Sequence, residues 1–490
     1  MKKSLFKNLR LQSYLQLLST IIPLVTTPYV ARVLGPENSG VYSFNHSIAS
    51  FFSLFALLGT SNYGTRKIAE SKNEEEKYLN FWSIYSIQVC TVLISTILYI
   101  IYCLLFCQFG TIRYYFIITL VGCLFNIQWY YYGCEEFALT TLAHAICRVC
   151  LVLFLFLFVN KSSDLIIYTM IMVGFEALAF VLLWCGKFFG NKIPFRKITF
   201  KDVIVHIKPN LLLFVPVLAI TIYQVMDRIM IGVFSSSVQG GYYYNTEKII
   251  NVPLGLFTGF STVLLPRMTI MYSDNKGNAI KFFNKSLSLL LMFGTAVSFG
   301  IISVSKEFVP IFLGAEYLSC IPLVNIFAPV LIIKCISNAV RTQLLIPAKM
   351  DKIYIKATLF GTVVNFLANA LFIPELGALG AVIGTIVSET VSLIYQLFFT
   401  RKEVDITKII VECIIFSGFG LVMLLAVRLT STCDLSFFSR NGNTIALIKM
   451  LLEVLVGASV YILLSIFYSL ITKNMVYDYL KKFRIKINEN

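Results

Sequence analysis

The chain has little charge. Asp, Glu, Lys and Arg make up 13% of its 490 residues, while 58% are hydrophobic and the mean hydropathy is +0.80. Soluble domains carry about 25% charged residues. A chain this apolar lacks the polar surface to stay in water, which excludes a soluble globular protein. It also lacks long loops: the longest stretch between apolar runs is about two dozen residues, so no soluble catalytic domain is inserted. Histidine is scarce, and His46, His144 and His206 are too scattered to propose a metal-ligand set. No Walker, nucleotide-sugar or metal motif is present, and no cofactor is expected. Acidic residues are outnumbered 25 to 41 by basic ones, for a net charge of +16. The basic residues lie in short loops and form no basic domain, which excludes a nucleic-acid partner. The twelve cysteines fall mostly inside apolar segments, among them Cys90, Cys103, Cys123, Cys147, Cys150 and Cys335. They read as small hydrophobes, and neither a disulfide framework nor a metal site is expected. The CRVC of Cys147–Cys150 has redox spacing but sits inside an apolar run.

What the chain has is apolar runs from end to end. Runs of about 20 apolar residues read as membrane-spanning helices. Fourteen are predicted, at 11–33, 40–60, 81–106, 112–132, 140–160, 163–185, 210–234, 241–266, 285–305, 321–345, 354–374, 377–399, 409–430 and 444–471. The expected class is an all-α polytopic membrane protein. MKKSLFKNLR before the first run resembles a signal peptide, but the run is too long for one and is read as a retained span. With the N-terminus inside, the cytoplasmic segments hold 29 Lys and Arg and the outer segments about 5. This asymmetry orients the chain with both termini in the cytoplasm. It places the 187–208 loop inside and the 431–443 loop outside.

A basic segment, residues 186–209, separates six spans from the rest. Its alternating basic and apolar residues suit an anionic inner leaflet. The expected organisation is an N-lobe at 1–185, this cytoplasmic amphipathic linker at 186–209, a C-lobe at 210–400, and two extra spans with a basic tail at 401–490. A short motif repeats across the halves. GVYSFN (Gly40–Asn45) opens span two and GGYYYN (Gly240–Asn245) opens span eight, the same place in each six-span half. Arg32 and Gly35 precede the first copy; Arg228 and Gly232 precede the second. Parallel duplication of this kind is common in transporters with two lobes around a central site.

Three stretches carry a family resemblance: PYVARVLGPENSGVYSFNHSIASFFSLFALLG (Pro28–Gly59), MDRIMIGVFSSSVQGGYYYNTEKI (Met226–Ile250) and PELGALGAVIGT (Pro374–Thr385). The chain resembles the bacterial polysaccharide repeat-unit flippases, the Wzx-type O-antigen and capsule flippases of the multidrug/oligosaccharidyl-lipid/polysaccharide exporter superfamily. The resemblance covers nearly the whole chain in length, span count and topology, with loose motifs that name no substrate. It implies an inner-membrane protein that moves a lipid-linked oligosaccharide, carried on undecaprenyl pyrophosphate, from the cytoplasmic to the outer leaflet. It also implies two six-helix lobes alternating in access around a cationic cavity. Membrane lipids, H+ or Na+ as coupling ion, and the glycan polymerase are the other implied partners.

Charges inside spanning helices are expensive and usually face the bundle interior. In span ten, Lys334, Asn338 and Arg341 sit at i, i+4 and i+7, one stripe with two cations that suits a diphosphate. Arg341, near the helix end, equally suits snorkelling to the interface. Span five has Thr141, His144 and Arg148 on one face. Span seven has Tyr223 and Asp227 together, with Arg228 turned aside. Span eight groups Tyr244, Lys248 and Asn251, with Glu247 beside them. Asp227 and Glu247 also fit structural ion pairs. The candidate substrate contacts are therefore Arg32, Asn45, His46, Arg148, Arg228, Lys248, Lys334, Asn338 and Arg341. Glu176, Asp227 and Glu389 are the candidate ion-coupling acids. Two polar stripes, Thr358–Thr362–Asn365–Asn369 in span eleven and Thr385–Glu389–Ser392–Gln396 in span twelve, fit either a sugar-wetted cavity or interhelical hydrogen bonding. In span fourteen, Lys449 and Glu453 read as a structural i,i+4 pair.

Within the superfamily, a lipid II flippase and a multidrug antiporter are alternatives. The antiporter would expel organic cations through a cavity lined with acids, and span one carries no internal carboxylate. A membrane glycan polymerase or ligase would need a sizeable external loop. The short outer loops speak against it, and no enzymatic activity is expected.

Overall fold

The computed structural model describes residues 2–106, 110–189, 193–431 and 442–472. The secondary-structure elements of the described residues are all helices, without strands. Thirteen stretches among them are long and apolar enough to cross a membrane. The first, Ile21–Ala69, holds the two spans predicted at 11–33 and 40–60. The protein is thus a multi-pass membrane protein. The external loop expected at 431–443 and most of the basic tail lie outside the described residues. The chain divides into two compact units, Met1–Tyr244 and Asn245–Asn490.

The first unit runs through α1 (Lys2–Leu57), α2 (Thr60–Ala69), α3 (Glu74–Leu105), α4 (Ile112–Tyr115), α5 (Ile117–Phe125), α6 (Gln128–Gly133), α7 (Phe137–Phe158), α8 (Leu165–Phe189), α9 (Phe200–Phe234) and the start of α10 (Ser237–Asp274). α1 is two helices joined at Gly35, whose φ of 73° and ψ of 176° are open to glycine alone at little strain. Pro36 follows, a natural first residue for the second helix. The linker expected at 186–209 is helical at both ends, because α8 continues to Phe189 and α9 begins at Phe200. Thr199 and Asp202 form the capping box that starts α9. The segment expected as a loop at 61–80 contains α2. Its Tyr63 hydroxyl lies 2.7 Å from His206 Nδ1 of α9. Burial, with Lys67 nearby, holds the His206 imidazole below its usual pKa and so neutral.

The fourth span departs from expectation. Predicted as one helix over 112–132, it is three short pieces, α4 to α6, broken at Phe116 and at Asn126–Ile127. Breaks free backbone carbonyls, which in a membrane must find partners. α3 supplies them. Gln88 Nε2 donates to Cys123 O at 2.7 Å and Asn126 O at 2.9 Å, while its Oε1 accepts from Trp129 Nε1 at 2.9 Å. Trp184 Nε1 of α8 donates to Phe125 O at 3.0 Å. Gln88→Leu keeps the bulk and takes away the side-chain partner of Asn126 O and of Trp129 Nε1. It should cost at least about 1–3 kcal/mol, the penalty for an unsatisfied buried polar group. A lowered unfolding midpoint of the purified protein, beside an unchanged one for an exposed apolar substitution such as Ile94→Leu, checks this.

The second unit continues α10 and adds α11 (Lys276–Phe312), α12 (Cys320–Phe327), α13 (Val330–Ala339), a π-helical turn (Val340–Leu345), α14 (Asp351–Leu376), α15 (Ala378–Thr400), α16 (Ile406–Ser431) and α17 (Gly442–Thr472). Its third span is also broken, where one helix was expected at 321–345. Pro329 has no N–H to continue the ladder, and the chain passes it on turn bonds, Leu331 N–H to Ala328 O and Ile332 N–H to Pro329 O. Below it, the Ile346 N–H bonds Arg341 O, the i→i+5 spacing of a π turn. Gln343, fully buried, ties that turn to α11 through Ser286 and to α10 through Ser261.

Polar ties hold the rest of this unit. Asn369 and Asn365, both fully buried, bond each other at 3.2 Å, and Gln396 of α15 donates to Ser337 of α13 at 2.8 Å. Thr358 and Thr362 bond back along their own helix. The two asparagines of the span-eleven stripe are therefore buried in packing, and the bonds of the stripe run along its own helix. The C-terminal helices dock on α11: Tyr461 of α17 bonds Thr295 at 2.6 Å and Met292 O at 2.9 Å. Lys449 does not pair with Glu453 as expected. Its Nζ reaches Glu307 of α11, 2.9 Å away.

Candidate functional site

The first unit encloses a cavity of about 360 Å³ walled by the second half of α1 with α5, α8 and α9. On α1, His46, Ser50 and Ser53 fall at i, i+4 and i+7, so one face of the helix is polar. Thr119 of α5, Asn126 at the break after it, and Glu176 of α8 close the polar side. Glu176 is an exposed side chain of this wall, on a helix whose length and hydropathy mark it as a span. An acid in such a place is costly unless it serves or is compensated. Arg148 of α7 lies close enough for its charge to act on Glu176.

Tyr42 links this cavity to other predicted residues. Its ring is 5.6 Å from His46 and 6.2 Å from Tyr244, and the Arg228 guanidinium sits 5.3 Å from the Tyr244 ring. Glu176 and Arg228 both act on Tyr42 electrostatically. His46 and Glu176 thus line the cavity, with Arg148 near Glu176 and Arg228 at the Tyr244 ring, outside its lining. Thr119 Oγ1 in this wall and His144 Nε2 on α7 are buried without a hydrogen-bond partner. Such a lining can hold a small cation or a proton on Glu176, and offers hydroxyl and amide groups to a polar ligand.

Other predicted residues are elsewhere. Asn45 is buried and donates to Val41 O of its own helix at 2.8 Å. Arg32 is exposed. Asp227 is buried and accepts from the Tyr243 hydroxyl at 2.5 Å, an anchor for the α9–α10 corner. The two copies of the repeated motif pack on each other here. A Cβ on Gly40 would meet Ser237 O at 1.7 Å, and one on Gly241 would meet Pro36 O at 1.8 Å, so the backbones of α1 and α10 nearly touch.

In the second unit, the predicted stripe on α13 is present, with an addition. Lys334 Nζ lies 3.2 Å from Glu389 Oε1 of α15, so a predicted cargo cation and a predicted coupling acid form one ion pair. Asn338 accepts from Thr342 at 3.3 Å, but its Nδ2 is buried with no partner. Arg341 stands in the π turn with its guanidinium 4.2 Å from the Tyr354 ring centre, and its Nε is likewise buried without a partner. Two donors in a row without acceptors suit an anion. Lys248 is half-buried on α10, beside Glu247, which accepts from Asn251 at 3.5 Å. The cavity-lining Ser50, Ser53, Thr119 and Asn126 are additions to the predicted set. The polar i, i+4, i+7 spacing from His46 was the signal for the two serines; the α5 break that presents Asn126 left none.

The described residues form an all-helical membrane protein of two compact units, each with a broken span. The protein-family description "Polysaccharide biosynthesis protein" matches residues 5–272, more than half the chain, and the chain belongs to that family. It is 25% identical over 418 residues to an Escherichia coli (strain K12) protein named as an O-antigen transporter, covering 82% of this chain and 98% of that one. Its fold matches that of the lipid II flippase MurJ in an inward closed conformation, with a TM-score of 0.74 at 19% identity over 93% of this chain and 98% of that one. An inward-facing multidrug resistance MATE family transporter of the MOP superfamily matches with a TM-score of 0.58 at 13% identity, covering 78% and 97%. The fold is that of this superfamily.

Proposed function

We propose that the protein is a flippase that moves polyprenyl-pyrophosphate-linked oligosaccharide units from the cytoplasmic to the outer leaflet of a bacterial inner membrane by alternating access. The family match over residues 5–272 carries this reading. Its working parts are lobes at 1–185 and 210–400, a linker at 186–209, and two extra spans with both termini in the cytoplasm. The α13 stripe receives the pyrophosphate: Asn338 Nδ2 and Arg341 Nε offer free donors, and Lys334 exchanges Glu389 for phosphate oxygens. Glu389, released from Lys334, then needs a proton or Na+ to stay in the membrane, which links cargo to ion. The unit-one cavity supplies a second acid, Glu176. Movement of labelled lipid-linked glycan across liposomes holding the purified protein tests the function directly; no movement of any such glycan rejects it.

A lipid II flippase is the second reading, favoured by the fold match to MurJ. Lipid II and glycan repeat units offered to the same liposomes separate the two.

Glu176→Gln tests the coupling role. With an imposed proton or sodium gradient, the wild type should run faster than without one. Glu176→Gln should drop to the gradient-free rate, and Glu176→Asp should keep part of the stimulation. Full gradient stimulation in Glu176→Gln would remove Glu176 from the ion path.

A further inference from the structure

α14 and α15 form a hairpin turned at Gly377, whose φ is 57°. Ring contacts fix its register. Phe360 of α14 lies 6.3 Å from Tyr395 of α15, between ring centres. One turn before Phe360 is Lys356, and a turn before that is Lys352, so the three share a face. One turn after Tyr395 is Phe399, 4.7 Å away, and Phe399 packs on Phe398 at 5.3 Å. The Arg401 guanidinium sits 4.5 Å from the Phe398 ring centre, and Lys402 follows it. The antiparallel register therefore brings Lys352, Lys356, Arg401 and Lys402 to one end of the hairpin, beside a band of rings. Phe360, Phe398 and Phe399 are 53%, 52% and 51% exposed, and all four cations are exposed.

The acids at this end are engaged elsewhere. Glu403 accepts from Lys276 Nζ at 2.5 Å and from the Tyr272 hydroxyl at 2.9 Å. Asp405 Oδ1 accepts from the Lys408 N–H at 3.0 Å. Asp351 stands in the first turn of α14, where the helix dipole favours a negative charge. Among the described residues, none of the four cations forms an ion pair. From Lys356 an apolar lane continues on the same side of α14 through Phe360, Val363, Leu367 and Leu371, all more than half exposed. The lane covers about 22 Å at 1.5 Å per residue, long enough for an extended fatty acyl chain. Clustered cations at a helix end, with an apolar lane leading away from them, match a lipid that has a phosphate at one end and a chain at the other. We infer that the α14–α15 hairpin binds an anionic phospholipid, its headgroup phosphate on Lys352, Lys356, Arg401 and Lys402 and its acyl chain on the Phe360–Leu371 lane. Arg401, held on the Phe398 ring, offers a planar fork to phosphate oxygens. On the proposed topology this end is cytoplasmic, so the lipid belongs to the inner leaflet. The site does not depend on what the protein carries. A bound lipid bridges the two helices, and occupancy registers as stability.

The test uses the full-length protein purified in a neutral detergent. Its unfolding midpoint is read with added phosphatidylglycerol or phosphatidylcholine of matched chains, and lipids retained on the protein are counted by native mass spectrometry. Phosphatidylglycerol should raise the wild-type midpoint by several degrees more than phosphatidylcholine. Added salt should shrink the difference, because exposed charges are screened. Lys352→Gln, Lys356→Gln and Arg401→Gln combined should remove the difference and lower the count of retained phosphatidylglycerol. Where that triple variant is poorly folded, Lys352→Gln with Arg401→Gln serves. Lys197→Gln, Lys201→Gln and Lys208→Gln combined take the same charge from exposed positions of the other unit and should leave the difference in place. A difference lost equally in both triple variants would mark a general charge effect and overturn the site, as would one kept by the hairpin variant. Equal stabilisation of the wild type by both lipids also overturns it, and leaves the basic band to an acidic protein segment.

Discussion

Lys334→Ala should abolish most surface glycan in a deletion strain complemented with the variant, while Lys334→Arg keeps much of it. A pyrophosphate entering a low-dielectric site must exchange its hydration for fixed donors and positive charge. Removing one cation should cost roughly 1.5–3 kcal/mol, the range for hydrogen bonds to charged groups, or about ten- to a hundredfold in affinity at 1.4 kcal/mol per decade. The ion pair complicates the single variant. Lys334→Ala leaves Glu389 without its partner 3.2 Å away, and breaking one side of this half-buried pair costs less than the loss of about 3–5 kcal/mol for a fully buried one. Part of the loss would then be lost protein. Lys334→Ala with Glu389→Gln separates the effects: it should restore membrane abundance and leave export low. Lys449→Ala, on the α11–α17 seam, should export far better than Lys334→Ala at matched abundance. Normal export by Lys334→Ala at wild-type abundance would show that α13 does not carry the pyrophosphate.

The sequence made the membrane class and most spans legible because apolar length is read without tertiary context. Breaks inside spans were not legible in the same way. The 112–132 run is mostly apolar, and the side chains that meet its freed carbonyls, Gln88 and Trp184, lie far away in sequence. Pro329 was a visible breaker, but the π turn after it rests on Gln343 meeting Ser286 and Ser261. The same limit applies to the site. Helical spacing put Lys334, Asn338 and Arg341 on one stripe, and spacing alone says nothing of a partner on another helix. So Glu389 beside Lys334, and Glu307 beside Lys449, came only with the fold. The polar spacing of spans eleven and twelve left cavity wall and hydrogen-bonded seam undivided. In span eleven the burial of Asn365 and Asn369 takes those two residues out of any cavity wall, and their bond runs within the helix.

Gly40→Ala and Gly241→Ala should each depress export strongly, for a reason set by backbone geometry. A Cβ at Gly40 would stand 1.7 Å from Ser237 O, and one at Gly241 would stand 1.8 Å from Pro36 O. Neither obstacle is a flexible side chain that can swing away. The start of α10 must therefore back off from α1, and the close contact of the two motif copies is lost. On the proposed topology this crossing lies at the outer end of the spans, where an alternating transporter must close once per cycle. A protein unable to close there has no stable inward-facing state in which to load cargo. Ser43 reports on the crossing: it is 1% exposed, and its hydroxyl is buried without a partner. Ser43→Cys, in a background without other reactive thiols, should be protected from an impermeant reagent added outside intact cells. Adding Gly40→Ala should make it reactive, in step with the loss of surface glycan and with membrane abundance retained. Gly174→Ala offers the control, since a Cβ at Gly174 meets nothing within 4 Å; it should change neither labelling nor export. Should Gly40→Ala export normally with Cys at position 43 still protected, α1 and α10 tolerate separation and the glycine crossing is not the closing contact.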